Sequence, residues 1–198
     1  MPIRRQSPWS DWGVNYDLFK LINNASGNSF LDALMKDVAK YAIAISFLVV
    51  AVLCLLRLLK RQIWPIVWSA VGLVLTFLLG LVAAAAYKEK RPFQTHHVHQ
   101  LLAHSPGQSF PSDHATAAFG CALVALVLLS RAWGVVLVLL GVFIGFARVY
   151  LGIHYPGDIG GSFLCAVVGV AAAWGLSRLF TPTARVRTTE TVTPAPAQ

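Results

Sequence analysis

The sequence is short of acidic residues, above all in its apolar part. Only 8 of its 198 residues are Asp or Glu. Between the first long apolar run and the C-terminal segment, only Glu89, Asp113 and Asp158 remain. All charged residues together make up 12% of the chain, whereas hydrophobic residues make up 57%. This composition excludes an ordinary soluble domain and is typical of a membrane protein.

Cysteine pairs and the apolar core of a secretory signal peptide are also missing. The three cysteines lie singly within apolar runs, without a Cys-x-x-Cys spacing, and we interpret them as small buried side chains. The N-terminal stretch MPIRRQSPWSDWGVNYD contains no apolar core of the kind that a signal peptide needs. We therefore expect the internal apolar runs to direct insertion into the membrane.

Five apolar runs are long enough to cross a bilayer as helices, which takes about 20 residues. They cover approximately residues 41–59, 64–87, 114–129, 133–151 and 159–179. The sequence therefore predicts an all-α, polytopic membrane helix bundle. It has about five transmembrane helices, or six if the N-terminal segment also spans the bilayer.

The N-terminal segment has a different pattern. It mixes apolar and charged residues at helical spacing and is interrupted at Gly27, which predicts one or two amphipathic helices. These helices lie at the membrane interface or pack over the mouth of the bundle. We expect a single domain over 1–180, with 1–40 amphipathic and 41–180 transmembrane. The Thr-, Pro- and Ala-rich tail 181–198 is predicted to be disordered.

The positive charge of the chain predicts its orientation. The formal net charge is +8, and we attribute it to membrane topology and anionic lipid rather than to nucleic acid. The loops after the first and third runs and the segment after the fifth are basic, which predicts that they are cytoplasmic. Their basic residues are Arg57, Lys60, Arg61, Arg131, Arg178, Arg185 and Arg187. Arg4 and Arg5 would fall on the opposite side.

The segment KEKRPF follows the second apolar run and gathers positive charge on the extracytoplasmic side. Lys88, Lys90 and Arg91 could bind an anion there, or they could be ordinary interfacial anchors of the preceding helix. Pro92 ends the helix and fixes the direction in which the chain leaves it.

A second polar cluster, PSDH, opens the third apolar run. Pro111 followed by Ser112 indicates a helix start with Ser112 as the N-cap and His114 in the first turn. The free N–H groups of such a turn can bind an anion. The alternative is a plain capped helix whose histidine faces water.

The third cluster is RVYLGIHYPGD, between the fourth and fifth runs. Arg148 and His154 are six residues apart, a spacing that does not place them on a common face of one continuous helix. Gly152 and the Pro156–Gly157 pair break the helix between the two runs. Asp158 could cap the fifth helix, or it could hold one ring nitrogen of His154. A salt bridge between Arg148 and Asp158 is the alternative, but it does not account for the histidine.

All three clusters fall on the same predicted side of the membrane. Together they supply arginines, histidines, a carboxylate and two helix starts, a set that favours phosphate chemistry. Arginines clamp phosphate oxygens, one histidine can attack phosphorus, and a second can protonate the leaving group.

The motifs RP at 91–92, PSDH at 111–114 and RVYLGIHYPGD at 148–158 resemble the signature of the type-2 phosphatidate phosphatase superfamily. The resemblance covers about 15–180. RPF, the pattern of His96, Val98 and His99, and SFPSDH look like its bacitracin-resistance branch, whose members are undecaprenyl-diphosphate phosphatases. The resemblance implies a multi-pass enzyme of the bacterial cell membrane with an extracytoplasmic active site. Its substrate would be a polyprenyl diphosphate lipid.

The resemblance also implies roles for individual residues. His154 would be the nucleophile, Asp158 would orient it, and His114 would protonate the departing lipid phosphate. Arg91, Arg148 and Ser112 would hold the transferred phosphoryl group. The superfamily uses neither a metal nor another cofactor.

Two positions depart from the superfamily pattern. A lysine is expected seven residues before the motif arginine, where this chain has Ala84. Lys88 or Lys90 could supply that charge from a different place. The second motif reads Ser-Asp-His where many members have Ser-Gly-His, so Asp113 brings an extra carboxylate to the phosphate site.

Four further histidines, His96, His97, His99 and His104, could suggest a metal site. No Cys or paired carboxylate joins them, so we expect no metal there and favour contact with a distal phosphate or headgroup. The alternatives to the predicted enzyme are a phosphatase for phosphatidylglycerophosphate or phosphatidate, a membrane anion transporter, and a non-catalytic scaffold.

Overall fold

The computed structural model of the protein describes residues 13–181 and is mostly helical over that range. Its helices are α1 (Gly13–Asn23), α2 (Ser29–Leu59), α3 (Ile63–Ala86), α4 (Pro92–Thr95), α5 (Asp113–Val124), α6 (Arg131–Tyr150) and α7 (Pro156–Phe180). A π-helical turn, Ala125–Leu129, extends α5. The predicted all-α bundle is confirmed. The predicted disordered tail lies outside the described residues except for Thr181.

Four of these helices, α2, α3, α6 and α7, are long and apolar enough to cross a membrane, and Asp113–Leu129 forms a shorter apolar helix. The four long helices expose large apolar side chains such as Leu81, Leu139 and Leu164. A surface of this kind suits contact with lipid chains rather than with water. The chain is therefore a multi-pass membrane protein.

Helix α2 differs from the sequence prediction at its start. The sequence predicts an amphipathic helix followed by a separate span from residue 41, whereas Ser29–Leu59 is one continuous helix. No Gly or Pro interrupts this stretch, so nothing ends the helix between its polar and apolar parts. The interruption predicted at Gly27 does separate α1 from α2. There Asn28 Oδ1 accepts the N–H groups of Phe30 and Leu31, each at 3.1 Å.

Helix α5 lies at the centre of the bundle and contacts α2, α3, α6 and α7. Its side chains at Ala115, Ala118 and Ala122 are fully buried, and small residues of this kind let helices approach closely. Helices α3 and α7 also cross closely, because a Cβ added at Gly169 would lie 2.6 Å from Thr76 N. One end of the bundle, the polar end, is formed by the last turns of α3 and α6 and the first turns of α5 and α7.

Helix α1 packs over the polar end and contacts α6 and α7. Phe19 is buried against Tyr155, with ring centroids 5.4 Å apart. Asn23 Nδ2 donates to the carbonyls of His99 and Tyr150, each at 2.9 Å, and Asn23 Oδ1 accepts the His99 N–H at 3.0 Å. The amphipathic N-terminal helix thus covers the mouth of the bundle, one of the two placements predicted from the sequence.

Candidate active site

The candidate site lies at the polar end, where α6 ends and α7 begins. The turn between them contains Gly152 with φ of +76°, a conformation that favours glycine. A Cβ at Gly152 would also lie 2.7 Å from His99 O. Pro156 then starts α7. The sequence predicts a chain reversal here from Gly152 and Pro156. The reversal brings His154 close to Arg148.

His154 is the centre of the site and is almost completely buried. Its Nδ1 lies 3.2 Å from Asp158 Oδ2. Its Nε2 lies 3.0 Å from Arg91 Nη1 and 3.4 Å from Arg148 Nη2. The structure therefore brings together four residues that the sequence places in two separate clusters.

These partners determine the tautomer of His154. A carboxylate only accepts hydrogen bonds and a guanidinium only donates them. The ring must therefore carry its proton on Nδ1, toward Asp158, and keep the lone pair of Nε2 toward Arg91 and Arg148. Burial lowers the pKa of His154, and the two guanidiniums act in the same direction, although Asp158 opposes them. A neutral imidazole with a nucleophilic Nε2 is the expected form near pH 7.

Asp158 is held by several donors at once. Its Oδ2 accepts the Ser109 hydroxyl at 2.5 Å and the Tyr155 N–H at 2.8 Å, in addition to His154 Nδ1. Its charge also acts on the buried carboxyl group of Glu89. These contacts fix the carboxylate in the plane in which it can orient the imidazole.

The structure decides between the sequence-based alternatives for Asp158. The predicted capping role is present, because Tyr155 is the N-cap residue of α7 and Asp158, the third residue of the helix, accepts the Tyr155 N–H in a capping box. The predicted salt bridge is wrong, because Arg148 and Asp158 form no ion pair among the described residues. The two side chains instead contact opposite nitrogens of the His154 ring.

Arg91 and Arg148 create strong positive potential in a buried place. Both guanidiniums are buried, and neither is paired with a carboxylate in the ion pairs of residues 13–181. The Nε atoms of both are buried without a hydrogen-bond partner. Two like charges in low dielectric repel each other, and a phosphate is the ligand whose charge and oxygen geometry suit such a pair.

The start of α5 supplies the remaining predicted residues. Ser112 is the N-cap residue as predicted, but its side chain makes no capping bond, and its Oγ is buried without a partner. His114 follows in the first turn, within electrostatic range of Arg148 and His154. The Ser162 hydroxyl of α7 donates to the Ser112 carbonyl at 3.0 Å and thereby holds the start of α5 against the start of α7.

The KEKRPF segment differs from its sequence interpretation. Lys88 and Lys90 are exposed, whereas Glu89 and Arg91 are buried. The backbone of this segment is extended. Lys90 forms an antiparallel β-bridge with Gln108, and the Ser109 N–H donates to the Glu89 carbonyl at 2.7 Å. Side chains alternate between two faces along such a backbone. The lysines thus lie at the outer rim, and a glutamate enters the site.

Three of the four other histidines have contacts of their own, away from His154. His96 stacks on Tyr16 with centroids 4.2 Å apart, His99 Nδ1 lies 2.9 Å from Ser26 Oγ, and His104 Nδ1 lies 3.1 Å from the Ser105 carbonyl. In residues 13–181, no group of three or more His, Cys, Asp and Glu side chains is arranged to hold a metal. The absence of a metal requirement remains a prediction.

Two members of the site were missed by sequence reasoning, Ser109 and Glu89. Ser109 lies within the SFPSDH stretch, but nothing in its spacing indicates a bond to a carboxylate of α7. Glu89 stands between two lysines, and its neighbours suggest an exposed position. The signal that could have found it is the rarity of acidic residues in the apolar part of the chain.

The fold and the site together define a class: a multi-pass membrane protein with a buried Arg–His–Asp cluster suited to phosphate. Residues 65–182 match the PAP2 superfamily. This match covers more than half of the chain, so the chain belongs to the PAP2 superfamily.

Named relatives and a solved structure agree with this assignment. The chain is 36% identical to undecaprenyl-diphosphatase BcrC of Bacillus subtilis (strain 168), over 78% of this chain and 80% of the relative. It is 33% identical to the putative undecaprenyl-diphosphatase YbjG of Escherichia coli (strain K12), over 81% of each chain. The crystal structure of LpxE from Aquifex aeolicus matches with a TM-score of 0.70 at 25% identity. That match covers 83% of this chain and 97% of LpxE.

Proposed function

We propose that this protein is an undecaprenyl-diphosphate phosphatase that removes the terminal phosphate and leaves undecaprenyl phosphate. The observation that carries the proposal is the setting of His154, with a carboxylate at Nδ1 and two guanidiniums at Nε2. The names of the relatives support this choice of lipid. Recycling of this lipid carrier for cell-wall synthesis, and with it resistance to bacitracin, belongs to the same proposal.

The first step transfers the terminal phosphoryl group to His154. The Nε2 lone pair attacks the terminal phosphorus, and a P–N bond forms while the bridging P–O bond breaks. The electron pair of the broken bond goes to the departing undecaprenyl phosphate, and His114 donates a proton to it. Arg91 and Arg148 hold the non-bridging oxygens and offset the charge that develops on them.

Asp158 and Ser112 support this transfer. Phosphorylated His154 still carries the proton on Nδ1 and is positively charged, and the Asp158 carboxylate stabilises that charge. The Ser112 hydroxyl, or the N–H groups that follow it in α5, bind a further phosphoryl oxygen. Lys88 and Lys90, at the exposed rim, bind the phosphate that stays on the lipid.

The second step releases inorganic phosphate. His114, deprotonated by the first step, accepts a proton from water while the water oxygen attacks phosphorus. The P–N bond breaks, its electron pair returns to Nε2 of His154, and His114 regains its proton. The cycle thus balances without an additional reactant.

A substrate panel tests this proposal. The purified protein in detergent is given undecaprenyl diphosphate, phosphatidylglycerophosphate and phosphatidate at equal concentrations, and released phosphate is measured. We expect the highest kcat/KM for undecaprenyl diphosphate and no release by the His154→Ala variant. Preference for a glycerophospholipid would overturn the substrate but keep the chemistry. No release from any lipid would overturn both.

We also propose that the active site faces the extracytoplasmic side of a bacterial inner membrane, on the strength of the basic loops at the opposite end. Cysteines introduced one at a time at exposed Ser105, beside the site, and at exposed Arg131, at the opposite end, test this orientation. A membrane-impermeant maleimide applied to spheroplasts should label the first and spare the second. The reverse pattern would overturn the orientation.

A further inference from the structure

Glu89 is a buried acid that the proposed mechanism does not use. Its side chain is only 5% exposed, and it borders an apolar cavity of about 500 Å³ whose lining includes Val14, Leu18 and Phe110. A carboxylate at such a place loses hydration and needs compensation. Among residues 13–181, no ion pair includes Glu89, and its sequence neighbours Lys88 and Lys90 are both exposed.

The partner of Glu89 is another carboxyl group. Ser109 joins the two residues, because its N–H donates to the Glu89 carbonyl at 2.7 Å and its hydroxyl donates to Asp158 Oδ2 at 2.5 Å. The two carboxyl groups interact, although two ionised carboxylates contain no donor. Glu89 Oε1 and Asp158 Oδ1 are both buried without a hydrogen-bond partner. A single proton shared in a hydrogen bond between the two carboxyl groups gives both Glu89 Oε1 and Asp158 Oδ1 a partner.

That proton belongs to Glu89. Asp158 receives donors from Ser109, Tyr155 and His154 at Oδ2, and hydrogen bonds of this kind stabilise the ionised form. Burial raises the pKa of Glu89 to about 8, and the charge of Asp158 adds to the shift. Glu89 is thus a neutral acid at pH 7 and can donate a hydrogen bond to Asp158.

We propose that protonated Glu89 is a positioning residue that donates a hydrogen bond to Asp158 Oδ1 and thereby holds the carboxylate that aims His154. The proposed role in turnover rests on the proposed phosphatase function. When Glu89 loses its proton, the hydrogen bond is replaced by repulsion between adjacent carboxylates, and Asp158 loses its fixed orientation. Turnover should therefore fall as the pH rises through about 8.

Neither Tyr155 nor Arg91, two ionisable neighbours of Glu89, accounts for such a loss. Burial raises the pKa of Tyr155 to about 12, so its phenol stays neutral over the relevant range. Arg91 is buried on the same side of the extended segment and stays charged. Helix α1 contributes Val14, Asn15 and Leu18 to the cavity, none of which titrates.

The pH dependence of two substitutions tests the role in turnover. Glu89→Gln keeps a donor toward Asp158 but cannot ionise, so kcat at pH 7 should stay near wild type and the loss above pH 8 should disappear. Glu89→Ala leaves Asp158 Oδ1 without a donor, and kcat should fall by about 10-fold to 100-fold at every pH. Asp37→Asn, at an exposed carboxyl of α2, is the matched control and should keep the wild-type profile. Identical profiles for wild type and Glu89→Gln would overturn the proposal.

An infrared measurement tests the shared proton without any substrate. Wild-type protein should show the carbonyl stretch of one buried protonated carboxyl, which disappears as the pH is raised through about 8. Glu89→Gln should lack this band, and Asp37→Asn should keep it. Absence of the band from wild-type protein at pH 6 would overturn the proposal, even if all lipids are hydrolysed. If the band is present but no lipid is hydrolysed, the proposed function fails and the shared proton stands.

Discussion

Arg91 Nη1 lies 3.0 Å from Nε2 of His154, although 63 positions separate the two residues in sequence. The same nitrogen donates to the Ile153 carbonyl at 3.1 Å. One planar group thus touches the imidazole and the backbone beside it while its remaining N–H groups are available for phosphate. A lysine ammonium has the charge but not this forked geometry.

Arg91→Lys should therefore lower kcat/KM by about 100-fold, the loss typical of removing an oriented donor from a developing negative charge. Arg178→Lys, an exposed position in the last turn of α7, is the matched control and should keep wild-type activity. Phosphate release from a lipid diphosphate measures both. Wild-type activity in Arg91→Lys would show that only the charge at residue 91 matters.

Replacing His154 with alanine should lower single-turnover activity more than replacing His114. His154→Ala removes the nucleophile, so single-turnover hydrolysis should fall by at least about 10³-fold, and no phosphoenzyme should form. His114→Ala should lose less, about 10²-fold, because the leaving group is a phosphate monoester and already departs readily. Rapid-quench experiments with radiolabelled substrate measure both quantities. Equal losses in the two variants would contradict this division of roles.

Chelation should leave the reaction unchanged. Arg91 and Arg148 supply the positive charge that a divalent cation supplies in metal-dependent phosphatases. Activity after prolonged dialysis against EDTA should equal activity before it, measured as phosphate release at saturating lipid. A loss that Zn²⁺ or Mg²⁺ restores would contradict this expectation and direct attention to His97 and His104 at the rim.

The crossing of α3 and α7 should be sensitive to a single methyl group. Gly169→Ala places a Cβ against the backbone of Thr76, and overpacking of this kind costs about 1–3 kcal/mol. Gly175→Ala, on the same helix with nothing within 4 Å of the added atom, should be neutral. Thermal unfolding in detergent compares the two. Equal melting temperatures would contradict the close approach of these helices.

Hydropathy predicts the long helices well because length and apolar character are properties of a single segment. The sequence predicts a span at about 64–87, and α3 runs from Ile63 to Ala86. The same reasoning separates the polar half of α2 from its apolar half, since hydropathy changes near residue 41. Helix continuity depends instead on whether anything breaks the backbone hydrogen bonds, and nothing in Ser29–Leu59 does.

The site was predictable only as far as its motifs extend. His154, Asp158 and Arg148 lie within one short stretch, and the glycine and proline between the two apolar runs indicate the turn that joins them. The contacts of Asp158 with Ser109 and Glu89 come from distant segments, and no local pattern encodes them. The Glu89 side chain is buried, between two exposed lysines, because the backbone at 87–91 is extended. Neither hydropathy nor helical spacing predicts that extended segment.

The hydrogen bonds of Asn23 have a consequence for biosynthesis. Asn23 belongs to α1, which a ribosome produces before the other described helices, yet its partners are the carbonyls of His99 and Tyr150. Asn15 in the same helix accepts the N–H of Gly157, 142 positions later, at 2.9 Å. Helix α1 therefore lacks its final contacts until most of the bundle has entered the bilayer. A nascent chain cannot close its active site before the start of α7 has been synthesised.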